Sequence, residues 1–123
     1  MPKAIQKLGS SFRHACRGLS LLFRSQRNAR IHLGVSICVL AGGILADISN
    51  IEWSMLVLAI GLVISAEAMN TAIEILADRI TLESDPAIGR AKDVAAGAVL
   101  AAAACSIVLG LLVFVPHLLA CLS

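Results

Sequence analysis

The sequence predicts an all-α integral membrane protein, with one amphipathic helix on the membrane surface ahead of three transmembrane helices. Composition is the first sign. Of 123 residues, 59% are hydrophobic, and mean hydropathy is +0.90, well above the roughly 45–50% apolar usage of soluble domains. The uncharged runs are the second. Val94–Val115 holds 22 residues without a charge, enough to cross a bilayer, and Trp53–Ala66 is another such run. The third is where the charge goes. Seven of the ten Lys and Arg lie in residues 1–30, which hold no acid. That pattern suits a segment resting on an anionic leaflet. A chain of this length makes one domain, 1–123.

Residues 4–25 form the surface helix. Ile5, Leu8, Phe12, Cys16, Leu19 and Phe23 recur at helical spacing with basic residues between them, so one face enters the interface and the other stays wet. The stretch has no compact apolar core with a cleavage site, and no signal peptide is expected. The first span covers about 31–46 and ends in the polar turn Asp47-Ile-Ser-Asn-Ile-Glu52. The second covers about 53–78, with Trp53 either an interfacial anchor or an incidental aromatic. A loop, Arg79–Asp85, follows. Asp85-Pro86 reads as an N-cap with Pro at the first helical position. The helix it opens crosses the membrane over about 94–115 and is expected to stop at Pro116. Gly97, Ala101 and Cys105 offer a small-residue face for close helix packing. Cys16, Cys38, Cys105 and Cys121 lie in apolar runs without a CxxC pair, and are expected as buried free thiols. His14 and His117 read as interfacial polar residues. The 47–52 turn has no Lys or Arg, whereas the N-terminal segment and residues 79–93 do. Positive charge therefore orients the N-terminus and the second loop toward the cytoplasm. Nucleic acid is not an expected partner, because so few aromatics offer no stacking platform.

The chemistry lies in four polar residues of the second span. Glu67, Asn70, Glu74 and Asp78 are spaced i, i+3, i+7 and i+11. At about 100° per residue they share roughly an 80° arc over about 16 Å of helix. Each acid deep in a membrane helix costs about 2.5–3.5 kcal/mol on insertion scales. Three on one stripe call for a shared purpose, such as a divalent cation with a phosphorylated ligand. Lys92 and Asp93 begin the third span on the same side. Carboxylates for Mg²⁺ plus a lysine for phosphate point to phosphoryl transfer at the cytoplasmic surface. No P-loop and no protein-kinase motif set is present. Polar glue between helices and an ion or proton pathway are the alternatives. Against a pathway, the stripe stops at mid-span. Too few helices surround the stripe in one chain to bury it, which fits an oligomer without fixing its size.

Glu67-Ala-Met-Asn-Thr-Ala-Ile-Glu74-Ile-Leu-Ala-Asp78, followed by Gly89-Arg-Ala-Lys-Asp93-Val-Ala-Ala-Gly-Ala-Val-Leu100, resembles the signature of the prokaryotic diacylglycerol kinase family, which includes undecaprenol kinases. The resemblance runs from Phe12-Arg-His-Ala-Cys-Arg-Gly-Leu19 to about Val115. It implies a homotrimeric bundle in the bacterial inner membrane, Mg-ATP as donor and a lipid alcohol as acceptor. It also implies active sites shared between subunits. Carried over by position, Glu67 is the general base and, with Asn70, contacts the acceptor. Glu74 is a metal ligand at the ATP site. Asn70 and Lys92 neutralise phosphates. Asp78, Glu83 and Asp93 belong to the nucleotide site or its surroundings.

Three departures from the pattern stand out. Gln26 occupies the place of a metal-binding Glu, and is taken as a neutral ligand. Glu83-Ser84-Asp85 replaces Glu-Tyr-His in the loop after the second span. His32 replaces an acid of the diacylglycerol branch and, within Arg-Asn-Ala-Arg-Ile-His32, resembles the undecaprenol branch. Undecaprenol is thus the favoured acceptor and diacylglycerol the alternative. A catalytically impaired member is the remaining one, on the strength of Gln26.

Overall fold

The computed structural model describes residues 2–123, and these fold into four helices with no strand among them. α1 is Lys3–Ser25, α2 Arg27–Ala46, α3 Asn50–Ile80 and α4 Pro86–Leu122. The last three are long and apolar enough to cross a membrane. Their outward faces carry exposed Leu58, Leu62, Leu112 and Leu119. On a soluble protein this would be an aggregation surface; on spanning helices it is the lipid face.

α1 and α2 meet at Gln26, whose extended backbone (φ −110°, ψ 116°) breaks the helix for one residue. The joint is clipped rather than loose. Arg30 Nη1 donates to the carbonyls of Phe23 and Arg24, at 3.1 and 2.8 Å. These are end-of-helix carbonyls that would otherwise lack partners. Leu22 is the one buried residue of α1; Leu8 and Phe12 stay exposed, as an apolar face meant for the interface requires.

α2 closes on Asp47 in the left-handed region (φ 53°), a conformation Asp tolerates better than most residues. Ser49 and Glu52 then form a reciprocal capping box that starts α3, which satisfies two N–H groups at once. At this end the bundle is best packed. Ile48, Leu56 and Val113 are buried, with Val39, Ala46, Trp53 and Phe114 against them. Trp53 therefore acts as a packing residue, its indole lying over Gly43. A Cβ at Gly43 would sit 2.7 Å from the indole and 3.1 Å from Ile48 Cδ1.

α4 starts as its sequence indicates. Asp85 accepts from the N–H groups of Ala87 and Ile88, at 2.9 and 3.1 Å, with Pro86 at the first helical position. The expected stop at Pro116 is overturned, because the helix runs on to Leu122 with Pro116 inside it. Pro116 withholds one backbone N–H, a loss that spanning helices tolerate. The extra turns are anchored by His117, whose Nε2 lies 3.2 Å from both Glu52 carboxylate oxygens. Glu52 precedes the uncharged run, and its carboxyl is held below the usual range, first by the Ser49 N–H and then by His117.

One further expectation changes. All four cysteines are free but exposed, because they lie on outward faces of a chain that buries little. α4 packs on its neighbours through Ala95, Ala102 and Val113, so Gly97, Ala101 and Cys105 face away from the chain's own helices.

Gly43→Ala is expected to lower the thermal midpoint in detergent, at a cost of about 1–3 kcal/mol from overpacking. Gly9→Ala, where a Cβ meets nothing within 4 Å, should leave the midpoint unchanged or raise it. Equal midpoints for wild type and Gly43→Ala would contradict the packing described.

Candidate active site

α3 is an unbroken helix over the whole polar stripe, so the i, i+3, i+7, i+11 spacing becomes a row on one face. Position along the row sets each residue's surroundings. Glu67 is 2% exposed, with α2 beside it. Its Oε2 has no hydrogen-bond partner, and neither do Asn70 Oδ1 and Thr71 Oγ1 close by. A buried polar atom left unpaired costs about 1–3 kcal/mol. Three within about one turn leave pairing capacity here for a ligand, water or a second chain.

Toward the α3–α4 loop the row becomes wetter. Glu74 is half-buried and Asp78 exposed. Lys92 of α4 donates to Asp78 Oδ1 at 2.6 Å. Lys92 precedes the charge-free part of α4, and Asp78, with help from Glu74, holds its ammonium above the usual lysine range. The Asp78–Lys92 bond joins the end of α3 to the start of α4, so one cation stands beside two of the three stripe acids.

Among the described residues the other candidates make no hydrogen bond or ion pair with the row. Glu83 is exposed in the loop, where its N–H donates to Thr81 Oγ1 at 3.1 Å. Asp93 is exposed on α4. Gln26 sits at the α1–α2 joint, half-buried. Among the described residues no three His, Cys, Asp or Glu side chains gather into a metal-holding group. The donors along the row are nonetheless oxygens, one of them the unpaired Asn70 Oδ1. That chemistry suits a hard dication that takes one or two protein carboxylates and the rest of its ligands from phosphates and water.

Two site residues escaped the sequence reading. Thr71 stands at i+4 from Glu67, a spacing that places it beside the stripe. His32 carries only a branch signal in the sequence. Its Nε2 lies 3.7 Å from Glu67 Oε2, a contact across 35 positions that no local periodicity signals. His32, Val35, Val39, Ile60, Val63 and Ile107 are among the walls of an apolar groove of about 360 Å³ between α2, α3 and α4. The site is thus a buried carboxylate beside His32, a wall residue of an apolar groove, with a cation and further carboxylates nearer the helix ends.

Comparison with known proteins adds an independent line. The family model described as prokaryotic diacylglycerol kinase matches residues 13–114. An undecaprenol kinase of Bacillus subtilis is 42% identical over 114 residues, covering 93% of each chain. A diacylglycerol kinase of Synechocystis sp. is 38% identical over 110 residues, covering 89% of this chain and 63% of that protein.

Asp78→Asn should remove the partner that keeps Lys92 protonated. The amine then titrates at lower pH and is acylated faster by an amine-reactive reagent near pH 9, as peptide mass spectrometry would report. An unchanged rate at Lys92 would contradict the pairing.

Proposed function

Because the chain belongs to the prokaryotic diacylglycerol kinase family and is a lipid kinase, we propose that it moves the γ-phosphoryl group of ATP onto the hydroxyl of undecaprenol. The observation that carries this is the buried Glu67 carboxylate, its Oε2 without a hydrogen bond and 3.7 Å from His32, which lines an apolar groove. Similarity to an undecaprenol kinase over 93% of the chain supports that acceptor; similarity to a diacylglycerol kinase makes diacylglycerol the alternative.

The groove takes hydrocarbon and brings a terminal hydroxyl to Glu67. Glu67 accepts the hydroxyl proton as the oxygen attacks the γ-phosphorus. The new O–P bond forms as the bond to the β–γ bridging oxygen breaks, and ADP leaves. Such transfer needs chiefly positioning and charge neutralisation. Lys92 and the Asn70 amide supply both along the row, while Asp78 holds Lys92 in place. Asp93 and Glu83 lie at the cytoplasmic rim of the nucleotide site. Glu74 and Gln26 would hold Mg²⁺, which when bound neutralises phosphate charge. With Gln26 a neutral carbonyl replaces a second carboxylate.

The protein is read as a homotrimer of the bacterial inner membrane, with the N-terminus and the site facing the cytoplasm. The basic α1 and the Arg79, Arg90 and Lys92 cluster support the orientation. The unpaired polar atoms of α3 support an assembly with shared sites.

Purified protein in mixed micelles with Mg-ATP should consume ATP on addition of undecaprenol, and faster than with diacylglycerol. A higher rate with diacylglycerol would exchange the acceptors. No lipid-dependent turnover with either, from folded protein, would overturn the proposal.

A further inference from the structure

We infer that His32 is the positioning residue of Glu67: its ring Nε2–H holds one carboxylate oxygen so that the other faces the acceptor hydroxyl. The inference rests on the kinase reading above and deepens it.

Three observations meet at this point. Glu67 is 2% exposed, yet its Oε2 has no hydrogen bond, a state that a buried carboxylate cannot keep without cost. His32 is the one basic side chain within 4 Å of it among the described residues, at 3.7 Å. That separation is beyond hydrogen-bond length, and catalytic bonds that are long in a free enzyme tighten when substrate enters. Lastly, His32 lines the apolar groove, so the imidazole stands where a hydrocarbon chain would end and its hydroxyl begin.

The position of His32 on α2 is itself fixed. Arg30 clips α2 to the end of α1. Ser36 Oγ donates to the His32 carbonyl at 2.7 Å. The ring is a quarter exposed, whereas the Glu67 side chain is almost fully covered. The imidazole thus has room to turn and the carboxylate has little. A neutral ring with its proton on Nε2 serves as well as a charged one, so the role requires a donor at that place and not a particular charge. Without that donor the buried oxygen stays unpaired, and no hydrogen bond sets which oxygen faces the hydroxyl.

The experiment compares wild type with His32→Ala, His32→Gln and His32→Phe for undecaprenol-dependent turnover in micelles, with helical content measured to establish folding. The Ala and Phe variants should lose roughly 10–100-fold in kcat, the range for loss of an orienting partner, with KM for ATP unchanged. His32→Gln, which offers an amide N–H, should recover most of the rate. If His32→Ala does not fold, the Gln and Phe pair decides the matter by the same contrast. Undiminished kcat in the Ala or Phe variant overturns the inference, as does a loss in His32→Gln equal to that in His32→Phe. A wild type inert toward lipids would remove the kinase reading itself, whereas an active wild type with an equally active His32→Phe would remove this inference alone.

Discussion

Burial of the Glu67 carboxylate is the constraint around which the polar half of the bundle is arranged. An ionised group in so dry a place is costly unless something compensates it. In the chain itself the compensation is partial: His32 approaches but does not bond, and Asn70 and Thr71 stand beside it with unpaired atoms of their own. A structure selected only for stability would place an apolar residue here, since replacing a buried charged group by hydrocarbon is often neutral or favourable. On the proposed reading the cost serves the reaction, because a desolvated carboxylate is placed to take the proton of an acceptor hydroxyl.

The two ends of the bundle divide the work. At the α2–α3 turn, Ile48, Leu56, Val113 and Trp53 pack tightly, and Glu52 ties α3 to His117. That end fixes how α2, α3 and α4 sit together. Past Val63 the apolar contacts give way to the stripe, and the Asp78–Lys92 pair becomes the main polar link between α3 and α4. Being exposed, that pair adds little stability; it sets where the lysine stands. The groove joins the two ends, from Leu56 and Val39 to His32.

Much of this was legible in the sequence. The spacing of Glu67, Asn70, Glu74 and Asp78 fixed one face because a helix has a fixed pitch. Asp85-Pro86 marked a helix start by local chemistry, and the short loop put Lys92 on the same side as the stripe, whereas its bond to Asp78 shows only in the packed helices. What was not legible depended on tertiary contact. The continuation of α4 beyond Pro116 rests on a helix remote in sequence, since His117 finds Glu52 across 65 positions. Trp53 lies over Gly43 because of the capped turn between them. The exposure of the cysteines has no sequence signal, because hydrophobic runs in a membrane chain mark contact with lipid as much as with protein. The approach of His32 to Glu67 has no periodic signature at all.

The measurement that bears most directly on this account compares Glu67→Gln with wild type for two properties: Mg-ATP affinity, and transfer of γ-phosphate to undecaprenol. The substitution keeps the shape of the side chain and removes its ability to take a proton. The account predicts near-normal nucleotide affinity with transfer abolished. Retained transfer, or loss of nucleotide binding together with transfer, would contradict the assignment of Glu67 as the base.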